Sequence, residues 1–141
     1  MEFETQNATK KIFKGVFLFV LLVSIDQVVK SLIRQPFRNY RFAFSIPIPE
    51  NLIYLIYGLV LIGIFFYLYK NFFSLSRLSK IAWILILAGA LSNVGERLVL
   101  GYVRDFIYIH FYIWTGIYNL ADFYIIFAII ILLVCTSKET K

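Results

Sequence analysis

Long apolar runs alternate with short polar connections along this chain. Four runs, roughly 15–33, 52–69, 81–100 and 117–135, approach the ~20 helical residues needed to cross a bilayer. None carries the narrow apolar stripe of a soluble surface helix, as expected where a helix meets lipid on one side and other helices on the rest. The pattern predicts an all-α membrane protein of four transmembrane helices, with residues 1–141 forming one integral membrane domain. Lys10, Lys11 and Lys14 precede the first run as in a signal peptide. The run continues past Asp26 without a small-x-small cleavage site, so it is expected to be a retained span.

The connections differ in character. Residues 34–51 include Pro36, Pro47 and Pro49, which oppose helix. Their centre, Arg41-Phe42-Ala43-Phe44-Ser45-Ile46, has strand-like composition and predicts a small extended or β element in the first outer loop. Residues 101–116 are rich in aromatics (Tyr102, Phe106, Tyr108, Phe111, Tyr112, Trp114), which reads as an interfacial belt. Residues 70–80 form a short polar link. Four spans place both termini on one side with Lys10, Lys11, Lys14, Lys70, Arg77, Lys80, Lys138 and Lys141. The other side carries Arg34, Arg38, Arg41 and Arg104, with Lys30 and Arg97 at span ends. Eight cations against six favour cytoplasmic termini.

Composition narrows the class. Hydrophobic residues make up 61% and charged residues 16%, against about half and about a quarter in soluble domains. A globule of 141 residues cannot hide that excess. A soluble enzyme, a disordered chain and a collagen-like fibre are therefore excluded as leading readings. Cys135 and His110 are single, which leaves no intramolecular disulfide and no His-x-x-x-His zinc site, and no metal or other cofactor is expected. The net charge of +6 is scattered around the apolar runs, where it suits anionic lipid rather than nucleic acid.

Ionisable groups inside spans cost at least about 2.5–3.5 kcal/mol each on insertion scales, so each needs a reason. Span 1 carries Asp26 and Lys30, span 3 carries Asn93, Glu96 and Arg97, span 4 carries Asn119 and Asp122, and Asp105 lies in the loop between the last two. The alternating span directions bring all of them to one depth, near the outer surface, which suggests a site there. Asp26 and Lys30 stand in the favourable i,i+4 order and either neutralise each other or serve the site. Arg97 either pairs with Glu96 or reaches another carboxylate. Gly89 and Ser92 suit close helix packing, and Cys135 suits a buried apolar position. Asp122 has no basic residue within a turn, and Asp105 has Arg104 beside it as a possible screen. Two carboxylates at one apolar surface share a proton if they meet, giving one acid and one base.

At these residues the sequence resembles the lipoprotein signal peptidases (signal peptidase II), membrane-embedded aspartic proteases of bacteria. Asp26-Gln27-Val28-Val29-Lys30 matches the family's Asp-Gln-x-x-Lys, and residues 39–45, Asn-Tyr-Arg-Phe-Ala-Phe-Ser, resemble Asn-x-Gly-Ala-Ala-Phe-Ser. Residues 88–97, Ala-Gly-Ala-Leu-Ser-Asn-Val-Gly-Glu-Arg, resemble Gly-Gly-Ala-x-Gly-Asn-x-x-Asp-Arg. Val103-Arg104-Asp105-Phe106 and Tyr118-Asn119-Leu120-Ala121-Asp122 resemble the two patches that bear the family's catalytic aspartates. The sequence departs from the family at Arg41, Phe42, Ala88 and Ser92, which replace small residues, and at Glu96, which replaces an aspartate.

The resemblance implies an endopeptidase that removes the signal peptide from a diacylglyceryl-modified prolipoprotein, cutting before the lipidated cysteine. It implies Asp105 and Asp122 as catalytic residues, with Asp26, Lys30, Asn39, Asn93, Glu96, Arg97 and Asn119 supporting the site or contacting substrate. It places the protein in the bacterial inner membrane, with membrane lipid as a partner, a monomeric state and an active site near the outer face. The alternatives are a non-catalytic helical scaffold or transporter subunit, and an inactive homologue.

Overall fold

Where an apolar run has no proline and no turn residue, its backbone polar groups must pair within the run itself, and helix is the result. The computed structural model describes residues 2–40, 48–112 and 114–139. In chain order these form α1 (Glu2–Leu32), β1 (Phe37–Asn39), α2 (Glu50–Asn71), α3 (Arg77–Leu100), β2 (Val103–Asp105), β3 (Ile107–Phe111), β4 (Trp114–Tyr118) and α4 (Leu120–Glu139). Among the described residues, three helices contain stretches long and apolar enough to cross a membrane: Thr9–Leu32, Asn51–Asn71 and Arg77–Leu100. The apolar part of α4, Leu120–Thr136, is shorter. At 1.5 Å per residue it rises about 26 Å, slightly less than a hydrocarbon core of about 30 Å. A helix of that length sets its first turn near one surface.

The helix ends have local causes. Ser76 caps α3, its Oγ accepting from Ser79 N at 3.1 Å. Gly101 closes α3 in the left-handed region (φ 79°), its N–H donating to the Arg97 carbonyl at 2.9 Å. The link expected over 70–80 is tighter than that, because α2 continues through Asn71 and α3 begins at Arg77.

Residues 101–116 hold more than an aromatic belt. β1 and β2 pair antiparallel with Phe37 opposite Asp105 and Asn39 opposite Val103. β3 and β4 form a hairpin with Phe111 opposite Trp114. The fourth span was expected from 117, but Ile117 belongs to β4 and helix starts only at Leu120. The β element of the first outer loop is present as β1, whereas the Arg41-Phe42-Ala43-Phe44-Ser45-Ile46 strip lies outside the described residues.

α3 is the central helix and packs against both α1 and α4. The contacts are close because the residues are small. Ala82, Ala88, Ala121 and Ala128 are fully buried, and a Cβ on Gly89 would collide with the Ala121 carbonyl. Large apolar side chains such as Phe65, Leu98 and Leu133 face outward. The arrangement is inverted relative to a soluble protein. Small and polar groups fill the interior, and bulky apolar groups meet lipid.

Candidate active site

Three helices and two strands deliver their polar residues to a single buried cluster. It begins at Lys30 on α1, which is fully buried. Its ammonium has three donors, and three acceptors surround it: Asp26 at 2.8 Å, Glu96 at 2.8 Å and the Asn93 Oδ1 at 2.9 Å. Lysine only donates, so the Asn93 oxygen must face it. The Asn93 amide then points its Nδ2 outward and donates to Asp122 Oδ1 at 2.8 Å. Asn93 is therefore the link between the ion-pair layer and the second aspartate.

Asp26 is also saturated. Besides Lys30, its carboxylate accepts from Ser92 Oγ at 2.5 Å and from the Ala121 backbone N–H at 3.0 Å. The last contact places an α1 carboxylate on a buried backbone amide at the start of α4, where the helix dipole favours negative charge. Ser92 does more than permit close packing, since it also accepts from Gln27 Nε2 at 2.8 Å. Gln27 in turn accepts from Arg104 Nη2 at 3.3 Å.

The start of α4 is fixed by a reciprocal cap. Asn119 Oδ1 accepts from the Asp122 N–H at 3.0 Å, and Asp122 Oδ2 accepts from the Asn119 N–H at 3.0 Å. This is a capping box with Asn at the cap and Asp three residues on. The free end of the Asn119 amide, Nδ2, donates to Asp105 Oδ1 at 2.6 Å. One residue thus holds both aspartates, Asp122 through its backbone and Asp105 through its side chain.

Asp105 reaches the cluster because strand side chains alternate. In β2, Val103 and Asp105 point inward and are buried, whereas Arg104 points to the other face. Asn39 on β1 stands diagonally across the pair and donates Nδ2 to Asp105 Oδ2 at 2.8 Å. Burial raises the Asp105 pKa to about 6, the amides of Asn39 and Asn119 oppose that rise, the Asp122 charge adds to it and the Lys30 charge reduces it. Among the described residues each aspartate accepts two N–H donors.

The sequence expectations for the supporting residues resolve as follows. Asp26, Lys30, Asn39, Asn93, Glu96, Asn119, Asp105 and Asp122 all meet in this cluster. Arg97 is buried; its Nη1 donates to the Asn39 carbonyl at 3.3 Å, which steadies the strand that presents Asn39 to Asp105. Glu96 is held by Lys30 and by Arg104, whose Nε pairs with its Oε1. Arg104 does not screen Asp105, because it lies on the opposite face of the strand. Gln27, Ser92 and Arg104 were not singled out as site residues, although Gln27 lies inside the Asp-Gln-x-x-Lys patch. The Asn119-x-x-Asp122 capping spacing was also a readable signal. Cys135 is half-buried, and His110 meets Thr115 across the exposed hairpin at 2.8 Å, away from the cluster.

Comparison with known proteins places the chain in a family. Residues 18–138 match the model of the family described as signal peptidase (SPase) II. A lipoprotein signal peptidase of Streptococcus pyogenes serotype M1 is 30% identical over 92% of this chain and 95% of its own length. One of Fusobacterium nucleatum is 30% identical over 84% and 83%. One of Chlamydia trachomatis serovar L2 is 40% identical over 58% of this chain, a match that spans about half (51%) of that relative. A solved bacterial membrane enzyme superimposes with a TM-score of 0.77 at 24% identity, covering 92% of this chain and 91% of the other. The match runs through every element that supplies the cluster, from α1 to α4, and the chain belongs to the signal peptidase II family.

Proposed function

We propose that this protein is a membrane-embedded aspartic endopeptidase that removes the signal peptide from diacylglyceryl-modified prolipoproteins, cutting before the lipidated cysteine. The observation that carries the reading is the pairing of Asp105 and Asp122 through Asn119, at the mouth of an apolar helix bundle. Family membership and the names of the relatives support a protease acting on lipoprotein precursors.

The chemistry uses one shared proton. The ionised aspartate takes a proton from a water as that water attacks the scissile carbonyl carbon. The protonated partner hydrogen-bonds the carbonyl oxygen and then gives its proton to the leaving nitrogen. A carboxyl with a pKa pushed up to about 6 exchanges protons near neutral pH, which suits Asp105 to this pair. Asn93 and Asn119 hold the aspartates in place throughout, and Asn39, steadied by Arg97, does the same from β1. The Lys30 layer lies behind Asn93 and fixes its orientation.

The site sits at the ends of α1 and α3 and at the start of α4. With both termini cytoplasmic, that end faces outward, where the lipidated cysteine of a precursor meets the membrane surface. Bulky apolar side chains on the helices provide the surface for a signal helix and acyl chains.

The test is cleavage by purified protein in lipid-containing detergent. A diacylglyceryl-modified precursor should be cut before its cysteine, and Asp105→Asn or Asp122→Asn should abolish the cut while the protein stays folded. Cleavage by both variants at the wild-type rate would return the scaffold reading to first place. Orientation is tested separately, with an impermeant thiol reagent on cysteines placed at Ser74 or Tyr108 in intact cells. Tyr108 should label and Ser74 should not.

A further inference from the structure

The opposite end of the bundle carries a feature that peptide cleavage does not use. A cavity of about 780 Å³ opens between α1, α3 and the α2–α3 turn. That size lies within the roughly 300–1,000 Å³ of small-molecule sites. Its wall is apolar, built from Ile12, Gly15, Val16, Phe19, Ile84 and Leu87. Two lysines, Lys11 and Lys80, stand among the lining residues. Lys80 is positioned: its ammonium lies 5.3 Å from the Phe72 ring centroid and 3.5 Å from the Phe73 carbonyl oxygen.

Charge identifies the occupant. The lining segments, residues 10–20 and 72–87, contain Lys10, Lys11, Lys14, Arg77 and Lys80 and no Asp or Glu. The ion pairs among the described residues all lie at the other end, with Asp26 and Glu96. A cationic signal-peptide start would be repelled here. An apolar slot with two ammonium groups at its rim fits a molecule with an acyl chain and a phosphate on one end. We propose that this cavity is a binding site for an anionic phospholipid of the leaflet opposite the aspartates. Lys11 and Lys80 hold the headgroup phosphate, and one acyl chain lies along Val16, Phe19 and Leu87.

Native mass spectrometry of the full chain in detergent, titrated with phosphatidylglycerol or phosphatidylcholine, tests this. Phosphatidylglycerol should be retained and phosphatidylcholine displaced by it. Lys11→Gln with Lys80→Gln should weaken retention about thirtyfold, the loss expected for two surface cations. Lys10→Gln with Lys14→Gln removes the same charge from a neighbouring depression lined by Gln6, Thr9 and Phe13, and should change retention less than threefold. Gly15→Met keeps both lysines and fills the slot; a Cβ there is only in ordinary contact with Ile84, at 3.5 Å, so the protein should fold and lose the lipid. Equal losses in the two lysine pairs would mean a diffuse field rather than a site. Equal retention of both lipids, or full retention by Gly15→Met, would overturn the proposal.

Discussion

The two ends of α3 are held by different physics. Its C-terminal half presents Ser92, Asn93, Glu96 and Arg97, each bonded to α1, a strand or α4. Its N-terminal half buries Ser79 and Ala82 and meets neighbours through shape, with a cavity left beside Ile84 and Leu87. Directional bonds in a medium of low dielectric are strong when complete and costly when broken. Apolar contacts tolerate a gap that a lipid chain fills. The polar end therefore has one acceptable geometry, and that is the end where the proposed chemistry needs its two carboxylates placed to within a fraction of an ångström.

The comparison breaks most visibly at the aspartates. Asp105→Asn and Asp122→Asn each keep side-chain size and lose proton transfer. Each should lower precursor turnover by about 10⁴-fold, with the double variant little worse, because residues that act as a unit are non-additive. Rates from purified protein, with binding of precursor measured separately, check this. Substitutions at the cavity end, such as Ile84→Val, should leave turnover within about twofold. Next in size is stability. Lys30→Met leaves the buried Asp26 carboxylate without its cation and Glu96 with Arg104 alone, and breaking a buried ion pair costs about 3–5 kcal/mol. Lys11→Met, on the exposed start of α1, should change stability by no more than about 0.5 kcal/mol. Denaturant unfolding in lipid-free micelles reads both, and a similar loss from the two would erase the distinction between the ends.

Much of the polar end is legible in the sequence. Apolar run lengths gave the helices, and span direction brought Asp26, Lys30, Asn93, Glu96, Asn119 and Asp122 to one level. The pairings were less legible. Glu96 and Arg97 are adjacent in sequence, yet Glu96 turns to Lys30 and Arg104 while Arg97 turns to Asn39. Which partner wins depends on the β1–β2 register, a long-range property that aromatic-rich sequence near residues 101–116 masked as a membrane belt. Ser92 looked like a packing residue because small size and a hydroxyl are both compatible with a helix contact. Only the arrival of Asp26 and Gln27 from α1 distinguishes them.

Titration sharpens the same contrast on a smaller scale. The Asp105 pKa rises from 3.8 to about 6 on folding, chiefly through burial. The folded state then binds more protons than the unfolded chain between about pH 4 and 6. Its contribution to stability is full below about pH 4 and is lost as pH rises through about 6. The loss is at most about 3 kcal/mol. Asp105→Asn cannot titrate there, so its stability should be flatter across that window than the wild type. Unfolding midpoints at pH 4.5 and 7 for the two proteins give the difference, and parallel curves would mean that Asp105 is solvated as in the unfolded chain.

The smallest expected effect separates close packing from open helix surface. Gly89 lies where α3 crosses the start of α4, and a Cβ there would meet the Ala121 carbonyl and the Ile125 side chain. Backbone cannot give way as a flexible side chain can, so Gly89→Ala should push α4 outward and cost about 1–3 kcal/mol. The displaced residue is the neighbour of Asp122, and the Ala121 N–H that donates to Asp26 moves with it. Turnover should therefore fall along with stability. Gly58 and Gly63 on α2 have nothing within 4 Å of an added Cβ. Alanine at either should be neutral or stabilise by up to about 1 kcal/mol through helix propensity, with turnover unchanged. Loss of stability without loss of turnover in Gly89→Ala would show that the capping box holds Asp122 in place independently of the α3–α4 contact.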